Sequence, residues 1–437
     1  MPNAHALRAA LLALPLSLVT LSVAWASTWT CEGVTRRYLS DPSGLVFSGS
    51  FRDDVSVNSS GDVLFSARPA GARDRLYLYD AAGVGEIVAS GGDASPGGDT
   101  FGSSRTFSSI SINDAGDVGF FARLDRSRGG VFIRTAGGAL ESAALAGQAA
   151  PGGGSFGSFP EASAVDPTGR IVFIATVNGG DDGIFLYDPS SDTLTRELSV
   201  GDLAADGTSA ICGLYGLALG STNTAIAFRG SVNSTGVCGL GDLDAILVRS
   251  QPTSAPAVLA LVGGSAPGGS TFAAISGSSK FHRKRFSPAI DPSQDVTFVA
   301  ELDAGRKSAA LLRWDAATDT LAVLANQGTE LPGSTFRMRS FQSPQVDDGS
   351  QIFARVRSKS RGSPYSVTNF GSTPGTALKQ GDAPPTNAAG FYPGAQYRKF
   401  GSLVALSRDG TKFVLAVKVR DTVHPRGKTG IVRCSSN

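Results

Sequence analysis

A short pattern of alternating apolar and polar positions recurs along the chain beyond residue 50. Its clearest copies share Val or Ile, then Phe, then Ala at every second position, and they lie at 61–67, 116–122, 169–175 and 294–300. Weaker copies lie at 224–230, 349–355 and 410–416, and the central positions are separated by 55, 53, 55, 70, 55 and 61 residues. Apolar residues at every second position predict β-strands with one buried face.

Each copy is surrounded by the same predicted elements. A first strand such as Ser109-Ile-Ser-Ile112 runs into the turn Asn113-Asp-Ala-Gly116, whose residue types favour a tight hairpin. After the repeated strand come a third strand such as Gly130-Val-Phe-Ile133, a fourth at Leu140 to Leu145, and a Gly-rich link such as Ala150-Pro-Gly-Gly153. Four antiparallel strands per repeat are typical of one β-propeller blade, and seven blades suit a closed ring.

The two ends of the chain predict how the ring closes. The seventh copy stops after its third strand, at Gly430 to Cys434, while one strand, roughly Val34 to Leu39, precedes the first copy. Supplied to the last blade, that strand completes it and places Cys31 beside Cys434, which leaves Cys212 to pair with Cys238. In the chain-entropy model the long disulfide contributes about 4–5 kcal/mol to stability.

The sequence therefore predicts an all-β fold, a seven-bladed β-propeller of four-stranded antiparallel blades whose ring is closed by an N-terminal strand. Residues 27–437 form this single domain, with 27–41 as the closing segment. The predicted blades span 42–92, 93–147, 148–201, 202–263, 264–328, 329–381 and 382–437.

The first 26 residues are interpreted as an export signal. Arg8 supplies a positive charge, an apolar run extends from Leu11 to Val23, and Ala24 and Ala26 are the small residues that a signal peptidase recognises. An uncleaved anchor is the competing interpretation, and cleavage after Ala26 is favoured. No later apolar stretch has membrane length, so we expect no stable membrane insertion. We also expect a monomer, located in the periplasm or outside the cell. Four cysteines in an exported chain indicate two disulfides.

The repeat resembles a tandem-repeat family of exported bacterial proteins named for its Asn-x-x-Gly-x-x-Val-x-x-Ala motif, and it is similar to TolB-type propeller repeats. Asn58, Gly61 and Ala67 match the motif, as do Asn113, Gly116 and Ala122. Asp166 replaces the Asn in the third copy, and the fourth copy has lost the Gly. The resemblance implies a scaffold and export, and it supplies no catalytic residues.

Motifs with known chemistry are scarce. A Gly-x-Ser-x-Gly pattern at Gly153-Gly-Ser155-Phe-Gly157 falls in a link, where sister copies carry Thr100, Thr271 and Thr335, so a turn is favoured over a nucleophile elbow. No Walker loop or paired Cys-x-x-Cys occurs, and neither a metal nor a cofactor is predicted. Asp242 and Asp244 have the spacing of only part of a calcium loop.

Four polar residues follow the repeated strand at equivalent places, and two roles are open for them. They could gather at one mouth of the ring and bind a cation or a sugar, or they could cap the loops that follow. The capping interpretation is favoured. The four are Asp125, Asn178, Asn233 and Asp303.

Charge is distributed unevenly along the chain, although the net charge is only +2. Residues 265–437 hold 23 Lys and Arg against 12 Asp and Glu. In a propeller the links and the loops between second and third strands share one face, so a basic sector is predicted there over blades 5 to 7. Its candidate ligand-binding residues are Lys280, His282, Arg283, Lys284, Arg285, Arg306, Lys307, Lys359, Arg361, Arg426 and Lys428.

Two functions compete for this chain. The leading one is a non-catalytic binding propeller that recognises an anionic polymer such as polysaccharide, lipopolysaccharide or nucleic acid, or else another protein. A solvated charged rim without a ligand is the simpler alternative for the charges. The other function is a hydrolase or lyase acting on a polysaccharide, with His282, His424, Asp303 and Asp421 as weak catalytic candidates that would have to converge.

Overall fold

A computed structural model describes most of the chain from Trp29 to Ser436. Outside the described residues lie 1–28, 49–50, 53, 127–128, 160–162, 221–224, 240, 253, 276–286, 305–306, 333, 359–364, 372–373, 386–393, 421–427 and 437. The predicted signal peptide falls within the first of these segments and stays a prediction. In the described part of the chain, no helix is long and apolar enough to cross a membrane.

The strands form seven four-stranded antiparallel blades, which confirms the predicted fold class. Strand β1 (Trp29–Arg36) precedes blade 1, which contains β2 (Val55–Val57), β3 (Val63–Ala67), β4 (Arg75–Tyr79) and β5 (Gly85–Ser90). Blade 2 contains β6 (Phe107–Ile112), β7 (Val118–Ala122), β8 (Gly130–Arg134) and β9 (Leu140–Leu145). Blade 3 contains β10 (Ser155–Phe156), β11 (Ser163–Val165), β12 (Ile171–Ala175), β13 (Val177–Asn178), β14 (Gly183–Asp188) and β15 (Thr193–Ser199), with β10 and β13 as a separate short pair.

The remaining blades follow the same order. Blade 4 contains β16 (Ala210–Leu219), β17 (Ile226–Asn233), β18 (Leu243–Arg249) and β19 (Ala257–Leu261). Blade 5 contains β20 (Ser265–Ala266), a 3₁₀ turn (Pro267–Gly269), β21 (Ser270–Ile275), β22 (Ala289–Ile290), β23 (Val296–Asp303), β24 (Lys307–Asp315) and β25 (Thr320–Asn326). Blade 6 contains β26 (Met338–Val346), β27 (Ile352–Ser358), β28 (Tyr365–Asn369) and β29 (Gly375–Lys379). Blade 7 contains β30 (Gln396–Leu406), β31 (Lys412–Arg420) and β32 (Lys428–Ser436), and β1 completes it.

The ring closes between the chain ends as predicted. Strand β1 pairs antiparallel with β32, Cys31 faces Cys434 in this register, and the two form a disulfide across 403 residues. The second predicted disulfide, Cys212–Cys238, is also present. The predicted bounds of the closing strand were wrong, because pairing begins at Trp29 and ends at Arg36. The chain turns out of the sheet at Tyr38, which has a φ of 75°.

The repeated Asn-x-x-Gly turn both closes its own hairpin and joins neighbouring blades. In blade 2, Asn113 Oδ1 accepts from the Asp117 N–H at 2.8 Å, and Gly116 takes a φ of 90°. The Asn113 Nδ2 group donates to the Asp166 carbonyl of blade 3 at 2.9 Å. Asn58 makes the same contact to the Asn113 carbonyl at 3.4 Å. An Asp side chain can accept the hydrogen bond that closes the turn, but it has no N–H group to donate. The Asp166 side chain therefore cannot make this cross-blade bond.

Replacing Asn113 with Asp should lower the free energy of unfolding by about 1–3 kcal/mol, because a buried donor is lost. The new carboxylate would also lie where Nδ2 now donates to Asp117 Oδ2 at 2.7 Å. Urea unfolding measures the change. Asp114→Asn on the exposed side of the same turn is the control. Asp114 Oδ1 accepts from the Ser59 N–H of blade 1 at 2.7 Å, and Asn keeps this acceptor, so stability should change by less than about 0.5 kcal/mol. Equal effects of the two variants would contradict the proposed bridging role.

Every link between blades folds back and places one large apolar side chain in the core. In each link the residue's N–H and C=O are both hydrogen-bonded to the segment that leaves the previous blade. These seven residues are at most 2% exposed: Phe47, Phe101, Phe156, Ile211, Phe272, Met338 and Tyr397. Phe101, for example, packs edge-on against Phe132 at 5.1 Å.

The link geometry also explains the Gly-x-Ser-x-Gly pattern. Ser155 belongs to a two-residue strand paired with β13, and the next residue, Phe156, is fully buried against Phe185 at 4.9 Å. Gly153 and Gly154 have φ values of 108° and 79°, a backbone conformation that favours glycine. The pattern therefore positions a core phenylalanine, and no strand-to-helix elbow is formed.

Candidate anion-binding surface

The propeller has two unlike faces. The Asn-x-x-Gly turns lie together on one, here called the turn face, because turns of adjacent blades are hydrogen-bonded to each other. Successive antiparallel strands run in opposite directions, so the links and the loops between second and third strands lie on the other, here called the link face. First strands of neighbouring blades contact one another and line the axis.

Most of the predicted site residues lie outside the described residues and stay predictions. These are Lys280, His282, Arg283, Lys284, Arg285, Arg306, Lys359, Arg361, Asp421, His424 and Arg426. Of the others, Asp303 ends β23 opposite the backbone of Lys307, the first residue of β24, at the link-face end of blade 5. The catalytic cluster proposed for a hydrolase or lyase is therefore represented only by Asp303.

Lys428 lies at the link-face end of blade 7, but it is not on an exposed rim. Only 4% of the residue is exposed, and its Nζ lies 5.1 Å from the centre of the Tyr38 ring. The Arg37 guanidinium lies 4.8 Å from the centre of the same ring, and Tyr38 itself is 53% exposed. An accessible aromatic ring is thus bounded by two cations.

Blade 7 carries further basic residues at this end that sequence reasoning missed. Lys399 and Lys418 are direct partners across β30 and β31, and Arg420 lies opposite Gln396. Like charges at directly opposed positions of a sheet are destabilising. A bound anion would relieve this repulsion.

Blade 6 continues the positive charge towards blade 5. Arg337 and Arg339 are exposed at the start of its first strand, and Arg357 and Lys379 lie at the link-face ends of the second and fourth. Together the two blades form a set here called the basic surface: Arg36, Arg37, Arg337, Arg339, Arg357, Lys379, Arg398, Lys399, Lys418 and Arg420. Among these, eight form no salt bridge with another described residue: Arg37, Arg337, Arg339, Arg357, Lys379, Lys399, Lys418 and Arg420.

The opposite sector of the link face is acidic. Asp202 and Asp206 lie in the link into blade 4, and Asp242 and Asp244 lie at its loop between second and third strands. The Ser209 hydroxyl, followed by the backbone N–H groups of Ser209 and Thr208, lowers the pKa of Asp206 to about 2. This carboxylate is therefore ionised at neutral pH, and the link face is electrically asymmetric.

The polar residues that follow the repeated strands support loops where their contacts are described. Asp125 accepts from the Thr100 hydroxyl at 3.0 Å, which ties a link to its blade. Asn233 accepts from the Thr235 N–H at 3.0 Å and donates to Asp242 at 2.8 Å. Asn178 is exposed in a two-residue strand. Among the described residues no group of His, Cys, Asp and Glu could hold a metal ion.

A cavity of about 180 Å³ opens at the axis on the turn face. Its wall includes one aliphatic residue from the first strand of each blade: Val57, Ile112, Val165, Leu219, Ile290, Val346 and Leu406. Its mouth carries the ion pair of Arg408 with Asp348, at 3.0 Å. The lining also includes the carboxylates of Asp114, Asp166 and Asp348, so this cavity lacks the positive charge of the basic surface.

The fold and these two faces define a seven-bladed β-propeller with a charged link face. The chain belongs to a family of unknown function, DUF7453, whose model matches residues 55–432. No curated protein matches it.

Solved structures of the same fold are distant in sequence. An oligogalacturonate lyase from Vibrio parahaemolyticus has a TM-score of 0.52 and 8% identity, over 93% of this chain and 97% of that chain. TolB from Acinetobacter baumannii has a TM-score of 0.36 and 13% identity, over 90% of this chain and 66% of that one. A prolyl endopeptidase has a TM-score of 0.45 and 11% identity over 90% of this chain, which spans only 51% of that chain. The resemblance to the Asn-x-x-Gly-x-x-Val-x-x-Ala family is not tested by these matches and stays a prediction.

Proposed function

We propose that this chain is an exported, non-catalytic binding propeller whose basic surface recognises an anionic polysaccharide. The observation that carries the proposal is the run of basic residues at the link-face ends of blades 6 and 7, with Lys399 directly opposite Lys418. Two disulfides support residence in an oxidising compartment. An extended polymer suits the surface because the charges follow two adjacent blades instead of converging on one point.

A charge-matched pair of variants tests this function. The Lys399→Gln/Lys418→Gln/Arg420→Gln variant should bind a heparin or polyuronate column about tenfold more weakly, because each exposed contact contributes about 0.5 kcal/mol. Arg68→Gln/Arg105→Gln/Arg123→Gln removes the same charge from exposed residues on the link face of blades 1 and 2, and it should elute like the parent protein. Elution in increasing salt measures the difference.

The column also tests the segment predicted from sequence. Arg283→Ala/Lys284→Ala/Arg285→Ala should weaken retention if that insertion joins the same surface. Equal elution of the parent and both basic variants would reject the proposed function, and equal weakening by the blade 1 and 2 control would show a net-charge effect alone.

A further inference from the structure

A second cavity lies beside the basic surface, at the link-face end of blade 6. It measures about 100 Å³ and opens between the link at residues 331–336 and the ends of the second, third and fourth strands. Phe336, Tyr365 and Lys379 line it together with the Gln380 amide and several hydroxyl groups. Aromatic surface with a few convergent polar groups is the usual composition of a small-molecule site.

The other blades show how this position is normally closed. In blade 2 the Leu145 side chain lies against Gly130, its partner at the start of the third strand, and also against Gly97 of the link. In blade 3 the register partner of Gly183 is Ser199, and the side chain of Arg196, from an earlier position of the fourth strand, lies against Gly183 and Gly152 instead. These two side chains fill the space between link and sheet.

Blade 6 differs at the equivalent pair. Ser366 takes the register position of the glycine, and its partner is Lys379, which is exposed. The turn in the link is also one residue longer. In blade 6 the Leu331 N–H donates to the carbonyl of Phe336, whereas in blade 3 the Ala150 N–H donates to the carbonyl of Gly154. Phe336 therefore occupies a turn position and is 43% exposed. The space that is filled in blades 2 and 3 is open here.

The walls of this cavity are held in place. The Arg355 guanidinium lies 3.7 Å from the centre of the Tyr365 ring, and Arg355 is only 3% exposed. The Tyr365 N–H donates to Gln380 Oε1 at 3.2 Å. Thr376 donates from its hydroxyl to the Pro332 carbonyl at 3.2 Å, which fixes the link to the fourth strand. Such support holds the first contacts of a ligand in position.

We infer that this cavity is a subsite for one uronic acid residue of the polysaccharide bound by the basic surface, an assignment that rests on the proposed function. The apolar faces of Phe336 and Tyr365 suit the C–H surface of a pyranose ring. Lys379 supplies a charge-assisted hydrogen bond for the carboxylate of the sugar, and the hydroxyl and amide groups suit ring hydroxyls. Basic residues along blades 6 and 7 then bind the neighbouring sugars.

Two probes separate sugar recognition from charge recognition. Hexagalacturonate carries sugar rings and carboxylates, whereas polyphosphate of similar charge carries no sugar. Phe336→Ala should weaken hexagalacturonate binding about tenfold in calorimetry and leave polyphosphate binding unchanged. Lys379→Gln should also weaken hexagalacturonate binding. Leu203→Ala, an exposed apolar residue in the link into blade 4, is the matched control and should alter neither.

The outcomes distinguish the subsite from the proposed function. Unchanged hexagalacturonate binding by Phe336→Ala and Lys379→Gln, with weaker binding of both probes by Lys399→Gln/Lys418→Gln/Arg420→Gln, overturns the subsite alone. An equal loss of both probes in Phe336→Ala also overturns it, because a sugar-specific contact cannot affect polyphosphate. If the parent protein binds neither probe, both the subsite and the proposed function are wrong. Thermal unfolding of each variant verifies that the fold is retained.

Discussion

Replacing both Cys31 and Cys434 with Ala should lower the free energy of unfolding by about 4–5 kcal/mol, the largest effect expected for any change of two residues here. This disulfide spans 403 residues, and a cross-link across a long loop removes the most entropy from the unfolded chain. Denaturant unfolding under oxidising conditions measures the loss. Hydrogen exchange should show that the amides of Trp29–Arg36 lose protection first, since this strand is bonded on only one side.

The second disulfide provides an internal control. Cys212 and Cys238 are separated by 26 residues, so the chain-entropy model gives them a smaller contribution, about 3 kcal/mol. Cys212→Ala/Cys238→Ala should therefore be the more stable double variant, and the amides of β1 should keep their protection in it. A greater loss of stability in this variant would show that ring closure does not depend on the terminal cross-link.

The fold could be predicted from the sequence because its signals are local and repeated. The hairpin around Asn113 needs only the turn residues and the alternation on either side of them. The closing strand followed from counting strands in the seventh copy. Its exact bounds did not, because the exit at Tyr38 depends on a backbone bond from its N–H to the Phe47 carbonyl of the next link.

For the candidate site, the sequence predicted only a positive charge and its location in the last blades of the chain. Lys399 and Lys418 are 19 positions apart and belong to no charge run, and only the register of β30 and β31 makes them neighbours. The cavity beside Phe336 depends on a comparison of three-dimensional positions between blades. The Ser/Thr-Phe pairs in the links, by contrast, were visible as a repeat. The Phe is a core residue in three of them, Phe101, Phe156 and Phe272, whereas Phe336 of the fourth pair is 43% exposed.

Arg433 joins the last blade to the first, and its replacement by Met should lower the free energy of unfolding by about 3–4 kcal/mol. The residue is 5% exposed, and its guanidinium donates to the Gly61 carbonyl and, at 2.7 Å, to the Ala81 carbonyl, both in blade 1. Hydrogen bonds from charged groups contribute about 1.5–3 kcal/mol each, and Met keeps the apolar stem but leaves the buried carbonyls without this donor.

The same guanidinium also contacts Glu32 of the closing strand at 2.7 Å, so the ion pair must be separated from the carbonyl bonds. The Glu32 side chain is 46% exposed, and ion pairs open to water contribute less than about 1 kcal/mol. Glu32→Gln should therefore be nearly as stable as the parent, as should Arg408→Met, whose partner Asp348 is 39% exposed. If Glu32→Gln instead costs as much as Arg433→Met in urea unfolding, the ion pair within blade 7, and not the contact with the two carbonyls of blade 1, accounts for the stabilisation by Arg433.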